Sequence, residues 1–122
     1  MPRKIVPGLL LAAAIALSGC GSKAPPAPFG DPEAGRDAFL ITCIACHGPE
    51  GKGVTGLGKD LTTSEFLRTR SDEEMLDFLI AGRPASDPLN TTGVDMPPRG
   101  ANPAFTDDDL KNIVAFLRTI QQ

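Results

Sequence analysis

Tryptophan and tyrosine are absent from the 122 residues, and phenylalanine, with six copies, is the sole aromatic. That removes most of the side-chain platforms on which bases stack. Positive charge is also scarce: 12 Lys and Arg stand against 15 Asp and Glu, a net charge of −3. A nucleic-acid binder would carry a basic stripe, so the two shortages together exclude that class of partner. Histidine occurs once, at His47, and cysteine three times, at Cys20, Cys43 and Cys46. No segment alternates apolar and polar residues at period two, so the expected fold class is all-α with essentially no sheet. Nor is there an apolar run of the ~20 residues that a helix needs to cross a bilayer. The length allows one small domain, with a single core burying roughly 65% of the unfolded surface. A large substrate cleft does not fit in so short a chain, and small chains that do demanding chemistry borrow it from a cofactor.

The longest apolar run, Ile5–Leu17, follows Arg3 and Lys4 and leads into Leu17-Ser18-Gly19-Cys20. A charged start, a short apolar stretch and small residues describe a secretory signal. Pro7 and Gly8 near its start, and the lack of a polar face, argue against a core helix. The ending resembles the lipobox of bacterial lipoproteins, which implies cleavage after residue 19 and lipidation of Cys20. Two or three acyl chains, at ~0.8 kcal/mol per buried methylene, hold a protein stably on a membrane. Cleavage removes Arg3 and Lys4 and takes the net charge from −3 to −5. Residues 21–30 (GSKAPPAPFG) have the composition of a linker. Extended, such a segment reaches ~30 Å, more than the ~13 Å radius of gyration of a ~100-residue domain. The expected organisation is a signal peptide over 1–19, a lipidated Cys20 with a linker to residue 30, and a folded domain over 31–122.

Within that domain Asp31-Pro32-Glu33 predicts a helix start, with an N-cap acid, Pro at the first position and an acid in the first turn. The helix is expected to reach about Thr42 and stop at the cysteines. Ser71 with Glu74 three residues on predicts a capping box. Met75, Leu76, Phe78, Leu79 and Ile80 follow, and Gly82 with Pro84 beyond ends the run. Thr106, ahead of Asp107, Asp108 and Asp109, opens a last helix whose Leu110, Ile113, Val114, Leu117 and Ile120 recur at helical spacing. A shorter helix fits Ser64–Arg68. Gly- and Pro-rich stretches, Gly48–Gly58 and Arg83–Pro103, lie between these elements. Loops of that length in a small domain are functional or wrapped around something. Three modest helices make a poor core unless something large and apolar sits among them.

Cys43-Ile44-Ala45-Cys46-His47 is C-x-x-C-H, the signature of covalent haem attachment. Two thiols three positions apart, in a short turn after a helix, can form thioethers to the two vinyl groups of one haem, and the adjacent His can ligate the iron. A thioredoxin-like C-x-x-C opens a helix within an α/β pattern, and no strands are expected here. A zinc site needs about four ligands, more than this chain assembles. A Cys43–Cys46 disulfide would leave His47 without a role. The expected cofactor is therefore one haem c, held covalently by Cys43 and Cys46, with His47 on the iron. Because His47 is the only histidine, a second imidazole from this chain is excluded, and methionine is the usual alternative. Met75 falls inside a helix, where packing is expected. Met96 lies in Gly93-Val94-Asp95-Met96-Pro97-Pro98, where two prolines stiffen the backbone beside it, and is the expected second axial ligand.

With that motif in view, residues 31–120 resemble the class I cytochromes c. Gly35 and Phe39, eight and four residues before Cys43, stand where that family keeps a small residue and an aromatic for packing its first helix on its last. Phe116 stands at its aromatic on the final helix. Gly58-Lys59-Asp60-Leu61 falls where the family has Gly-Pro-x-Leu. The resemblance implies that the carbonyl of Lys59 accepts a hydrogen bond from His47 and that Leu61 packs on the haem. Lys59 itself departs from the family's proline. The lack of Trp and Tyr is a second departure, since the family often uses them to hydrogen-bond a haem propionate; Arg68, Arg70, Arg83 and Arg99 are the candidates to substitute. The implied architecture is the small cytochrome c fold, three main helices plus loops around a covalent haem, with Phe39, Leu61, Phe78, Leu79 and Leu117 in the pocket.

The resemblance further implies a one-electron carrier and not an enzyme, since His47 and Met96 together saturate the iron and no residue is placed as a general acid or base. The expected partners are exported electron donor and acceptor proteins, and a bacterial membrane through Cys20, with the domain facing the periplasm or cell exterior. A monomer or a subunit of a respiratory complex is expected. At −5 the mature domain would be repelled by an acidic patch, so a mixed or apolar docking rim is expected. Two other readings stay open: a fixed electron-transfer subunit of a membrane oxidase or dehydrogenase, and a ligand-binding or peroxidatic haem protein, which requires Met96 off the iron.

Overall fold

The computed structural model describes residues 1–2 and 28–122. The signal peptide, Cys20 and most of the linker lie outside the described residues. Among the described residues five α-helices follow in order: α1 (Pro32–Thr42), α2 (Ile44–His47), α3 (Glu65–Thr69), α4 (Asp72–Ala81) and α5 (Asp107–Thr119), with a 3-10 turn over Pro98–Ala101. Among the described residues there is no strand, only two isolated antiparallel bridges, Val54 with Gly58 and Arg83 with Met96. The fold is all-α, as the absence of period-two alternation predicts.

The helix starts follow capping chemistry. Asp31 accepts from the backbone N–H groups of Glu33 and Ala34, ahead of Pro32. Ser71 and Glu74 form a reciprocal capping box on α4, and Thr106 and Asp109 form one on α5. Ser64 caps α3 by accepting from Leu67 N–H. Gly82, at φ +70°, ends α4 as expected. Two details differ from the sequence reading. The helical path resumes at once after Cys43, so the cysteine motif is itself a helical turn, because Cys43 keeps right-handed helical angles. Ile120 lies just past the last turn of α5 and not within it.

The core sits where α1 and α4 pack on α5. Helix α5 contributes Leu110, Ile113, Val114, Phe116 and Leu117, all buried, and α4 contributes Met75 and Leu79. Gly35 is the pivot of the α1–α5 crossing: a Cβ there would lie 1.8 Å from the carbonyl oxygen of Asn112. One turn on, the rings of Phe39 and Phe116 meet tilted, with centroids 5.3 Å apart. The Asn112 side chain accepts from Asp31 N–H at 2.8 Å and closes the crossing. Phe29 and Gly30, at the end of the linker segment, also pack here: Phe29 is half-buried against the core, and a Cβ on Gly30 would meet the backbone of Lys111. At the other end of α5, Arg118 donates to Asp72 at 2.8 Å, to the carbonyl of Arg70 at 2.7 Å and to that of Leu67. That clamp fixes α3 and the start of α4 to α5.

Candidate haem site

Between the helices and the long loops lies a cavity of about 660 Å³. The size suits a cofactor of some tens of atoms. The α1–α2 corner lines it with Cys43, Cys46 and His47, and the loop after α4 lines it with Met96. All five residues expected in the pocket, Phe39, Leu61, Phe78, Leu79 and Leu117, line the same cavity. So does Met75, which comes from the interior of α4 and is 2% exposed, in keeping with its expected packing role. Both thiols are free and half-buried. Burial pushes the Cys43 thiol above its ordinary value, since a thiolate is poorly solvated against apolar walls.

The imidazole is oriented by the loop that follows it. His47 Nδ1–H donates to the carbonyl of Lys59 at 2.9 Å, which leaves Nε2 as the nitrogen available to a metal. The loop reaches that position because it is tied under the C-terminus of α2: Gly53 N–H donates to His47 O at 2.8 Å and Val54 N–H to Cys46 O at 3.1 Å. Gly58 is needed for the approach, as a Cβ there would fall 2.3 Å from Cys46 O. Replacing the family's proline by Lys59 keeps the acceptor carbonyl. The new side chain crosses to the other loop, its Nζ donating to Leu89 O at 2.8 Å.

Met96 is held by its main chain. Its N–H and C=O both pair with Arg83, each at 2.8 Å. Gly82 lets this segment ride against the end of α4, since a Cβ there would lie 2.3 Å from Met96 O. The loop before Met96 is organised by one side chain: Asn90 Nδ2 donates to Pro84 O and Val94 O, and its Oδ1 accepts from the N–H groups of Thr92 and Gly93. Asp95 accepts from Ala85 N–H across the same loop. After Met96 come Pro97 and Pro98 and then left-handed Arg99 and Ala101, at φ 53° and 65°. Arg99 anchors this turn to the start of α5, donating to Phe105 O at 2.9 Å and Asp107 at 2.7 Å. Sequence reading missed Asn90 and the bridge between Arg83 and Met96. The signal available was weak, an Asn at the head of Asn90-Thr91-Thr92-Gly93 in a loop already recognised as long.

The residues present fit a haem. A nitrogen and a thioether on separate elements match the ligands of haem iron, two thiols stand next to the nitrogen, and the remaining walls are largely apolar. Among the described residues no cluster of three or more His, Cys, Asp or Glu is placed to hold a metal ion on its own. Comparison with known proteins agrees. The family model for cytochrome c matches residues 32–121. A cbb3-type cytochrome c oxidase subunit, FixPc, of Rhizobium leguminosarum bv. viciae is 26% identical over 100 residues, covering 78% of this chain and 30% of the relative. The chain thus spans less than a third of that relative's length. No solved structure matches. A family match running from the first residue of α1 to two residues beyond α5, over a cavity built for a haem, settles the assignment: the chain belongs to the cytochrome c family, as a mono-haem class I member with covalently bound haem c.

Proposed function

We propose that this electron-transfer haem protein is a membrane-tethered one-electron carrier. In this reading Cys43 and Cys46 hold the haem by thioethers, His47 and Met96 are its axial ligands, and Cys20 carries the lipid anchor. The observation that carries the reading is the His47–Lys59 hydrogen bond, which fixes the tautomer that offers Nε2 to iron. When bound, the haem supplies a ferric/ferrous couple, and thioether ligation raises its potential relative to two imidazoles. The chain's part is to hold and insulate that couple. Phe39, Leu79 and Leu117 exclude water from it, and the paired backbones of Arg83 and Met96 keep the thioether segment in position.

The rim of the cavity supports apolar docking. Ile41, Leu57 and Val94 line it and are also exposed, at 63%, 45% and 37%. Such a rim, on a domain of net charge −5 after signal cleavage, favours exported partners met through apolar contact with weak salt dependence. The test is optical. The detergent-solubilised full chain, exported with haem-attachment machinery, is expected to give the weak long-wavelength band of ferric iron bound to a thioether. That band is expected to vanish in Met96→Ala and persist in Met75→Leu, and CO is expected to leave the reduced parent unchanged. A parent that lacks the band and binds CO would sink the axial assignment and favour a ligand-binding haem.

A second reading has one observation behind it: a relative of this chain is a subunit of an oxidase. If this chain is likewise a fixed electron-transfer subunit, mild detergent extraction will return it in stoichiometric yield with larger membrane proteins. A free carrier will come out alone.

A further inference from the structure

We infer that Arg83 is the carboxylate-binding residue of the haem cavity, the fork that pairs with a haem propionate. The inference rests on the haem occupying this cavity, as the preceding reading has it. The Arg83 side chain is only 10% exposed, and an arginine that deep is almost always paired. Its guanidinium lies over two rings, 4.5 Å from the centroid of Phe66 and 4.8 Å from that of Phe78. Those rings pack on each other at 4.9 Å, so the guanidinium is held against both. Stacking uses the face of the group and leaves its N–H edge for a planar anion. Asp87 forms an ion pair with Arg83 at 3.6 Å from Nε, beyond hydrogen-bond length, so the buried Nε has no hydrogen-bond partner. A buried guanidinium nitrogen without a hydrogen bond is costly, and a carboxylate brought in with the haem removes that cost.

The rival cations are committed elsewhere. Arg68 donates to Thr63 O at 3.0 Å, and Arg99 is bound to Phe105 O and Asp107. Arg70 lies over the Phe66 ring at 4.8 Å, stands 3.9 Å from Glu74 and is 42% exposed, so water satisfies its donors. None of these three lines the cavity, whereas Arg83 does. Lys59 also lines it, but its ammonium is bonded to Leu89 O. Arg83 therefore fills the place that the missing Trp and Tyr leave open. It has a second connection that a surface arginine would lack: its backbone is paired in both directions with that of Met96. The residue that neutralises the carboxylate thus also carries the thioether segment, so a change at the propionate is transmitted to the ligand loop through one residue.

The test reads the propionate directly. Resonance Raman spectra of the full-length holoprotein are recorded in the propionate bending region for the parent, Arg83→Gln, Arg83→Lys, Arg70→Gln and Arg99→Gln. The mode is expected to shift in both Arg83 variants, because neither Gln nor Lys offers the charged fork, and to stay at the parent frequency in the other two. The reduction potential is expected to fall in Arg83→Gln, since losing a buried cation favours ferric iron, and to be largely restored in Arg83→Lys. An unmoved propionate mode in Arg83→Gln, or a mode that moves only in Arg70→Gln or Arg99→Gln, overturns the inference. Should Arg83→Gln fail to take up haem, Arg83→Lys decides by the same mode, and an unmoved mode there overturns it. The ferric long-wavelength band of the same parent sample reports Met96 separately, so failure of the axial assignment and failure of the Arg83 assignment are distinct results.

Discussion

Replacing Gly35 by alanine inserts one methyl group at the tightest point of the molecule. The new Cβ would lie 1.8 Å from Asn112 O, 2.3 Å from Asn112 C and 2.9 Å from Ile113 N. All three are backbone atoms of α5, so no side chain can rotate away. Reaching a normal separation of about 3.5 Å means parting the helices by roughly 1.7 Å. Overpacking of that kind costs about 1–3 kcal/mol. Parting the helices also loosens the Phe39–Phe116 pair, worth ~0.5–1.5 kcal/mol, and stretches the Asp31–Asn112 hydrogen bond, worth about 1 kcal/mol. Against this stands the gain of alanine over glycine inside a helix, about 1 kcal/mol. The expected net loss is about 2–4 kcal/mol, read by denaturant unfolding of the holoprotein followed by far-ultraviolet circular dichroism. Gly93→Ala is the control: its Cβ would meet nothing within 4 Å, and its φ of +71° alone should cost about 1–2 kcal/mol. If Gly35→Ala is as stable as the parent, or more stable, close approach is not what this glycine provides and the crossing geometry is wrong.

Gly82→Ala combines a φ of +70° with a Cβ 2.3 Å from Met96 O. It is expected to weaken the long-wavelength ferric band at fixed pH, more than its effect on the unfolding midpoint would suggest. Leu110→Ala removes a side chain that is 1% exposed and should cost about 2–5 kcal/mol by denaturant titration, with the optical spectrum of the haem unchanged. Lys59→Met keeps the backbone carbonyl that receives His47 Nδ1–H and loses only the exposed bond to Leu89, so haem spectra should be unaltered and stability should change by less than about 1 kcal/mol. The Asp109 carboxyl is held below its ordinary 3.8 by hydrogen bonds from the Thr106 side chain and backbone. A depressed carboxyl stabilises the fold above the ordinary value, and that contribution is lost as pH falls through it and below. Thr106→Val should therefore lower the thermal midpoint at neutral pH and flatten its fall in acid.

What the sequence made legible was local chemistry. Each of the three longest helices begins with a capping residue whose partner lies two or three positions on, so Asp31, Ser71 and Thr106 announce their helices without knowledge of the rest of the chain. The C-x-x-C-H motif was equally local. The walls of the cavity were partly legible because Phe39, Phe78, Leu79 and Leu117 sit on apolar helix faces that must turn inward. Arg118 was not legible: its partners, Asp72 and the carbonyls of Leu67 and Arg70, are 46 to 51 residues away, and it reads as a cation at a helix end. Arg83 was legible as one of four candidates but could not be singled out. Its selection depends on burial between Phe66 and Phe78, which tertiary packing alone determines. The Lys59 replacement explains why a departure from a family pattern can be silent: what His47 needs at that position is a carbonyl, and every residue supplies one.

The size of the cavity bears on the order in which this protein folds and binds. Unless the haem fills the cavity of about 660 Å³, Phe39, Met75, Leu79 and Leu117 lack packing partners on the side that faces it. Small domains have only about 5–15 kcal/mol of stability in all, and three helices of 11, 10 and 13 residues leave little margin for such a gap. The haem is therefore part of the core, between the α2 turn that carries His47 and the loop that carries Met96. Preventing attachment with Cys43→Ser and Cys46→Ser together, in cells lacking a noncovalent haem supply, should give a chain with reduced helical dichroism and no cooperative thermal transition. The capped helices α1 and α5 are expected to keep the most residual structure, because their crossing at Gly35 does not involve the cavity loops. Hydrogen exchange of that chain should protect the amides near Ile113 and Val114 longest and those of residues 84–96 least. A haem-free double variant that unfolds as cooperatively as the holoprotein would mean that the helices alone support the cavity, and that the loops are held by Asn90, Arg99 and their hydrogen bonds without the cofactor.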